Sequence, residues 1–100
     1  MEQFPNAPYY KLWLGTFQIA LGDVLTRSNQ LPEACAILEG AVGMLTRLLA
    51  DQPEMTFIHG QLSRGYSNLA VALRQLGRRD AAAQAEQRAE QERNLLGPVR

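Results

Sequence analysis

The feature that most constrains the fold is an internal sequence similarity: when the sequence is aligned with itself at an offset of 48 residues, its first half is identical to its second half at seven positions. The placement of the matches carries more weight than their number, because the same offset also superposes the tracts around Asn29 and Gly77. A period of this length is typical of helical solenoids, in which each helix pair buries its apolar face on the next. The identical pairs are Pro5 with Pro53, Leu14 with Leu62, Leu21 with Leu69, Leu25 with Leu73, Ala34 with Ala82, Ala41 with Ala89 and Leu48 with Leu96.

The spacing of apolar residues and the positions of helix breakers predict four helices, over about residues 8–27, 32–50, 55–76 and 79–96. Pro32 suits the first turn of the second helix, and Gly77 ends the third. No strand pattern competes, and short connections favour antiparallel neighbours. The predicted fold class is therefore all-α: a single domain, residues 1–100, of two stacked antiparallel helical hairpins, with one repeat over about 5–52 and a second over about 53–98.

Small residues mark the places where we expect two helices to approach closely. Gly22 matches Ala70 at the 48-residue offset, so this position is expected to lie at such a contact in both halves. Gly40 and Gly43 lie inside the second helix, where glycine lowers stability unless a neighbour packs closely. We therefore expect close packing at both of these glycines as well.

The stretch NLAVALRQLGRRDAAAQAEQRAE resembles a tetratricopeptide repeat. The first copy departs from that pattern in having Gln18 at a usually aromatic position and Asn29 in place of the hairpin glycine, and Glu86 occupies a usually bulky position of the second copy. The matching residues are Tyr66, Leu69 with Ala70, Leu73, Gly77, Ala82 and Ala89 in the second copy, and Leu21 with Gly22, Leu25, Ala34, Leu38 and Ala41 in the first.

The 48-residue period has a resemblance of its own. The run LADQPEMTFIHGQLSRGYSNLAVALRQLGRRDAAAQAEQ is similar to the long repeats that form arrays beside bacterial, planctomycete-type serine/threonine protein kinases. This resemblance covers nearly the whole chain, although no kinase motif is present in it. It implies a helical segment that docks other proteins and has no catalytic role.

Charge and cysteine content exclude several classes of partner. Ten Lys plus Arg balance ten Asp plus Glu, so neither nucleic acid nor an anionic membrane surface is an expected partner. No apolar run approaches the roughly 20 residues that span a bilayer. The single Cys35 forms no internal disulfide, and no signal-peptide pattern is present, so we expect a cytoplasmic protein.

The sequence offers little for catalysis, so we expect no enzyme, no metal and no cofactor. His59 has no second His or Cys nearby in the sequence, which argues against a zinc site and a nucleophile–base pair. Cys35 is expected to be a small core residue, with a low reactivity. The glycines form no phosphate-binding loop, because none is followed by Lys-Ser or Lys-Thr.

A partner-binding groove is the better candidate site. In tetratricopeptide arrays the first helix of each hairpin lines a concave groove, and the resemblance transfers this role to positions in the first and third helices. Arg27, Arg64 and Arg74 would give the groove a positive tendency suited to a peptide carboxylate. The predicted groove residues are Thr16, Ile19, Asp23, Thr26, Arg27, Arg64, Ser67, Asn68, Val71, Arg74 and Gln75.

The two ends of the chain differ in character. The last helix is alanine-rich on one side and polar on the other, as in a capping helix. The first helix has apolar residues on more than one face, which predicts a self-association surface, and hence a homo-oligomer, or contact with a neighbouring repeat. The predicted self-association residues are Tyr9, Tyr10, Leu12, Trp13 and Phe17.

Three functions are compatible with this pattern. The first is a non-enzymatic protein–protein interaction scaffold that docks a peptide or another copy of itself. The second is a structural carboxy-terminal capping segment of a longer, kinase-associated array, without a ligand of its own. The third is a small four-helix enzyme or cofactor carrier, which the absence of a Glu-x-x-His pair or a histidine cluster disfavours.

Overall fold

A computed structural model describes residues 7–95 of the chain. Four α-helices account for most of them: α1 (Ala7–Arg27), α2 (Leu31–Asp51), α3 (Ile58–Gln75) and α4 (Arg79–Asn94). No strand is present between residues 7 and 95, which confirms the all-α class. Pro5, which matches Pro53 at the 48-residue offset, and residue 96, the predicted end of the fourth helix, lie outside the described residues.

The turn between α1 and α2 and the turn between α3 and α4 have the same backbone hydrogen bonds, 48 residues apart. The amide of Gln30 donates to the carbonyl of Leu25 at 2.8 Å, and the amide of Arg78 donates to that of Leu73 at 2.9 Å. Such a bond, reaching five residues back, ends a helix through a residue with positive φ. Asn29 with φ 64° and Gly77 with φ 86° occupy these positions. Asparagine tolerates this conformation better than most residues, which explains how it replaces glycine here.

The connection between α2 and α3 is longer than the sequence predicts, because α3 begins at Ile58 and not near residue 55. Met55 is buried ahead of the helix, whereas Phe57 is half exposed. Turns at residues 53–54 and 56–57 replace the first predicted helical turn.

The helices pack in an open order. α1 packs on α2, both of them contact α3, and α3 contacts α4. Within the described part of the chain, no Cα atom of α4 comes within 8 Å of a Cα atom in α1 or α2. A four-helix bundle closed around one core would bring the fourth helix against the first or second. In the described residues the close backbone contacts of α4 are therefore with α3.

The core lies between α1, α2 and α3, and its largest completely buried side chains are Ile19, Leu38, Leu45, Ile58 and Leu62. From α4, the buried apolar residues are only alanines. At about 25 cal/mol for each Å² of apolar surface, methyl groups contribute less burial free energy than the leucines and isoleucines of the other helices. The attachment of α4 thus depends on close approach and on polar contacts as well.

Glycines set the distance between some of the helices. A Cβ atom at Gly22 would lie 2.4 Å from Cγ of Leu38, and one at Gly65 would lie 2.7 Å from Cγ1 of Val42. The expected close approach at Gly22 is thus observed. The same expectation is wrong for Gly40, which has no neighbour within 4 Å, and for Gly43, which meets only the end of the Arg47 side chain at 3.8 Å.

None of the helices described here is both long enough and apolar enough to cross a membrane.

Candidate functional site

The predicted groove residues divide into exposed and buried positions. Ile19 is completely buried in the core, so its side chain is not accessible to a ligand. Thr26 is also buried, and its hydroxyl donates to the carbonyl of Gly22 at 2.8 Å. These two residues are therefore removed from the candidate groove. The other predicted positions retain at least partial exposure, and they are Thr16, Asp23, Arg27, Arg64, Ser67, Asn68, Val71, Arg74 and Gln75.

The three groove arginines have different surroundings. Arg27 forms an ion pair with Asp23 one turn earlier in α1, at 2.8 Å. Arg74 forms an ion pair with Glu86 of α4. Arg64 is exposed and has no carboxylate oxygen within 4 Å among the described residues. Arg64 is therefore the groove cation best placed to accept a carboxylate from outside, because the charges of Arg27 and Arg74 are already paired.

The largest exposed apolar area of a single helix lies on α1. Tyr10, Trp13 and Phe17 are 67%, 69% and 64% exposed. Leu12, which the sequence assigned to the same surface, is instead partly buried and packs against the core. We call this surface the α1 apolar face and define it as Tyr9, Tyr10, Trp13, Leu14, Phe17 and Val24.

Leu14 and Val24 belong to the α1 apolar face, although the self-association surface predicted from the sequence did not include them. Val24 is 54% exposed and Leu14 is 37% exposed. At the 48-residue offset they correspond to Leu62 and Ala72, which are buried in α3, so the offset alone does not indicate their exposure.

The α1 apolar face corresponds to a face of α3 that is covered. Ile58, Leu62, Gly65, Leu69 and Ala72 are buried in α3, and Gly65 approaches Val42 of α2. At the 48-residue offset the same positions in α1 are occupied by Tyr10, Leu14, Phe17, Leu21 and Val24. In α3 this face packs on the preceding helices, whereas in α1 most of it is exposed to solvent.

The outer surface of α4 is polar. Leu38, Val42 and Leu45 of α2 are buried, and their counterparts in α4 at the same offset are Glu86, Glu90 and Arg93, which are all exposed. Of the three α2 residues, Val42 lies against Gly65 of α3, whereas Leu38 and Leu45 lie against Gly22 and Gly15 of α1. Charged side chains are rarely covered without partners, so the exposed surface of α4 offers no apolar counterpart of the Val42 contact.

His59 has a partner that the sequence did not predict. Its Nδ1 lies 2.7 Å from Oε1 of Glu92, and both side chains are largely buried, with exposures of 18% and 11%. The contact joins the beginning of α3 to the end of α4, opposite the Gly77 turn. The side chain of His59 thus connects α3 to α4.

Cys35 is a buried core residue, as expected. Burial raises the pKa of its thiol, the nearby carboxylate of Glu39 raises it further, and Arg78 opposes the shift. A raised pKa keeps the thiol protonated and weakly nucleophilic near neutral pH. Among residues 7–95, no three His, Cys, Asp or Glu side chains are grouped so that they could hold a metal ion.

Two shallow concavities border α4. One, of about 370 Å³, lies beside the Arg74–Glu86 ion pair and is also lined by Arg79, Ala82 and Ala83. The other, of about 230 Å³, has an apolar floor that includes Tyr66 of α3, and Arg88 lies over the ring of Tyr66 at 4.9 Å. Neither concavity brings together a nucleophile and a base.

No protein-family model matches the chain, and no curated protein or solved structure matches it either.

Proposed function

We propose that the chain is a non-enzymatic protein–protein interaction scaffold, built as a tetratricopeptide-like solenoid segment of two stacked helix hairpins. The open packing order is the observation that carries this proposal: among the described residues, α4 has its close backbone contacts with α3 and none with α1 or α2, while α1 keeps an apolar face exposed. Linear packing of this kind leaves surfaces free for partners, as in helical repeat proteins. The matching turns at Asn29 and Gly77 support a period of 48 residues.

The proposed peptide site is the groove formed by the exposed residues of the predicted set on α1 and α3. Arg64 is its principal anchor, since its guanidinium is exposed and is not paired with a described carboxylate. A guanidinium binds a carboxylate through two parallel hydrogen bonds. The expected ligand is therefore an extended peptide with a free carboxy terminus or an acidic side chain. Ser67 and Asn68, three and four residues after Arg64 in α3, supply hydrogen-bonding groups on the same side of that helix. Thr16 is the hydrogen-bonding residue proposed for the α1 side of the groove.

The test is a random peptide library with free carboxy termini, screened against the purified chain. We expect Arg64→Ala to weaken the selected peptides by about tenfold, because a hydrogen bond to a charged group contributes about 1.5–3 kcal/mol. Arg47→Ala, which removes an exposed arginine of α2, is the matched control and leaves binding unchanged. Selected peptides that bind both variants as well as the unmodified chain would contradict the groove.

A second candidate function is that of a structural cap for a longer repeat array of the kinase-associated type. The polar outer surface of α4 favours it, since Glu90 stands at the counterpart of Val42, against which α3 packs, and the nearby Glu86 and Arg93 are also charged and exposed. Terminal repeats require such a polar face for solubility. In this role the chain has no peptide ligand, so a library screen that yields no binder favours the cap over the groove.

A further inference from the structure

We propose that the α1 apolar face is a two-fold symmetric interface, at which a second copy of this chain docks with its α1 antiparallel to the first. The inference rests on the proposed function as an interaction segment and identifies one partner and the surface that binds it. The repeat correspondence is the starting point, because the same positions are covered by neighbouring helices in α3.

The α1 apolar face is self-complementary in its spacing. Tyr10, Phe17 and Val24 follow one another at intervals of seven residues, so at about 100° per residue their directions span only roughly 40°. In an antiparallel pair centred on Phe17, Tyr10 of one copy lies opposite Val24 of the other. A large side chain then meets a small one at both ends of the contact, which is the alternation that close packing requires.

Charge does not oppose this contact. The only charged residues of α1 are Lys11, Asp23 and Arg27. Lys11 and Asp23 point about 120° away from Phe17, on opposite sides of the helix. Arg27 lies at the far end of α1, where its charge is paired with Asp23. The centre of the face is thus uncharged, which matches the depletion of charged residues in the buried centre of interfaces.

The exposed area is sufficient for a dimer. Tyr9, Tyr10, Trp13 and Phe17 are between 49% and 69% exposed. With about 200 Å² for each aromatic side chain, the four expose roughly 500 Å². Leu14, Val24 and a polar rim bring each copy close to the ~800 Å² per partner of a standard interface. A patch of this size is at the upper end of what monomeric proteins expose.

A head-to-tail arrangement of copies does not fit. It would place the α1 apolar face of one copy against the free surface of α4 in the next, where Glu86, Glu90 and Arg93 would lose their hydration. Head-to-tail contacts also generate open filaments or rings, whereas a contact between identical faces stops at two copies. The expected assembly is therefore a closed dimer.

The test is sedimentation velocity of the full chain from micromolar to near-millimolar concentration, together with the fluorescence of Trp13. We expect the mass to double from 11.1 kDa as concentration rises. The emission of Trp13, the single tryptophan, should shift to shorter wavelength over the same range because the indole leaves water. A constant monomer mass with unshifted emission would overturn the proposal, and so would growth beyond two copies.

Three variants assign the surface: one disrupts it and two serve as controls. Phe17→Asp places a charge at the centre of the α1 apolar face and should weaken the dimer by roughly thirtyfold or more, the range of a central interface residue. Phe57→Asp removes a second exposed phenylalanine, at the beginning of α3, and should leave the dimer unchanged. Phe17→Leu keeps the face apolar and should retain the dimer. Equal dimerisation by Phe17→Asp and the unmodified chain would place the contact elsewhere.

The two proposals fail in different experiments. Circular dichroism of Phe17→Asp verifies that the monomer remains helical. If Phe17→Asp is monomeric and Arg64-dependent peptides still bind to it, both proposals stand. If the unmodified chain is monomeric but binds such peptides, only the dimer is rejected.

Discussion

At the scale of single residues, the missing side chain of Gly22 determines how closely α1 approaches α2. Leu38 fills the space beside this glycine and is itself completely buried, so it has little room to move. Gly40 is the opposite case, since it lies in a helix with open space around it. Two glycines in neighbouring helices are therefore expected to respond in opposite ways to the same added methyl group.

Gly22→Ala is predicted to lower the free energy of unfolding by about 1–2 kcal/mol. The added Cβ overpacks the contact with Leu38. The stability lost through this overpacking exceeds the stability gained from the higher helix propensity of alanine. Gly40→Ala, the control, is predicted to raise the free energy of unfolding by about 0.5–1 kcal/mol, because it gains propensity without a clash. Both values can be measured by urea denaturation followed by circular dichroism. A Gly22→Ala variant as stable as Gly40→Ala would contradict the close approach.

The two turns show what the sequence can predict at this scale. The aligned positions Asn29 and Gly77 both have positive φ, and the alignment alone suggested their equivalence. In contrast, the sequence treated Gly22 and Gly40 alike, although only Gly22 has a close neighbour. A turn is determined by local backbone chemistry, whereas the neighbour of a helical glycine depends on how separate helices pack.

At the scale of helices, α4 is attached to α3 at both ends. The Gly77 turn joins them covalently at one end, and the contact between His59 and Glu92 joins them at the other. Since α4 buries mainly alanines, this polar contact accounts for a larger part of its attachment than it would for a leucine-rich helix.

Glu92→Ala is predicted to lower the free energy of unfolding by about 1–2 kcal/mol, because it leaves the largely buried Nδ1 of His59 without its partner. Glu90→Ala removes an exposed glutamate from the same helix and should change stability by less than about 0.5 kcal/mol. Thermal denaturation of the two variants measures the difference. Equal melting temperatures would show that the contact does not stabilise the helix pair.

The apolar spacing of α1 predicted a helix but did not determine which of its apolar residues are covered. Phe17 and Val24 have the same spacing as core residues, yet both are exposed. Coverage depends on whether a neighbouring helix lies beside them, and that information is not contained in the periodicity of one helix. Their counterparts in α3, Gly65 and Ala72, are buried, so the same positions differ in coverage between the two halves of the chain.

At the scale of the whole molecule, the helix-breaking residues and the spacing of apolar residues predicted the number and order of the helices. They did not predict which residues belong to the groove. Ile19 and Thr26 were assigned to the groove by analogy with a repeat pattern, but both are buried. One residue of error in the facing of a helix moves a side chain by about 100°, which is enough to exchange groove and core. Arg64 remained on the surface because a guanidinium strongly favours water.

The linear packing order also has a consequence for local unfolding. Because α4 has no Cα atom within 8 Å of α1 or α2 among the described residues and buries mostly alanines, its separation from the molecule exposes less apolar surface than the separation of the leucine-rich α2 would. Its backbone amides should therefore exchange with deuterium through partial opening, before those of α2, whose amides require global unfolding. Native-state hydrogen exchange by NMR would detect this hierarchy, and uniform protection of all four helices would contradict it. If the expected hierarchy is observed, the chain opens in order from the α4 end, as a row of weakly coupled units.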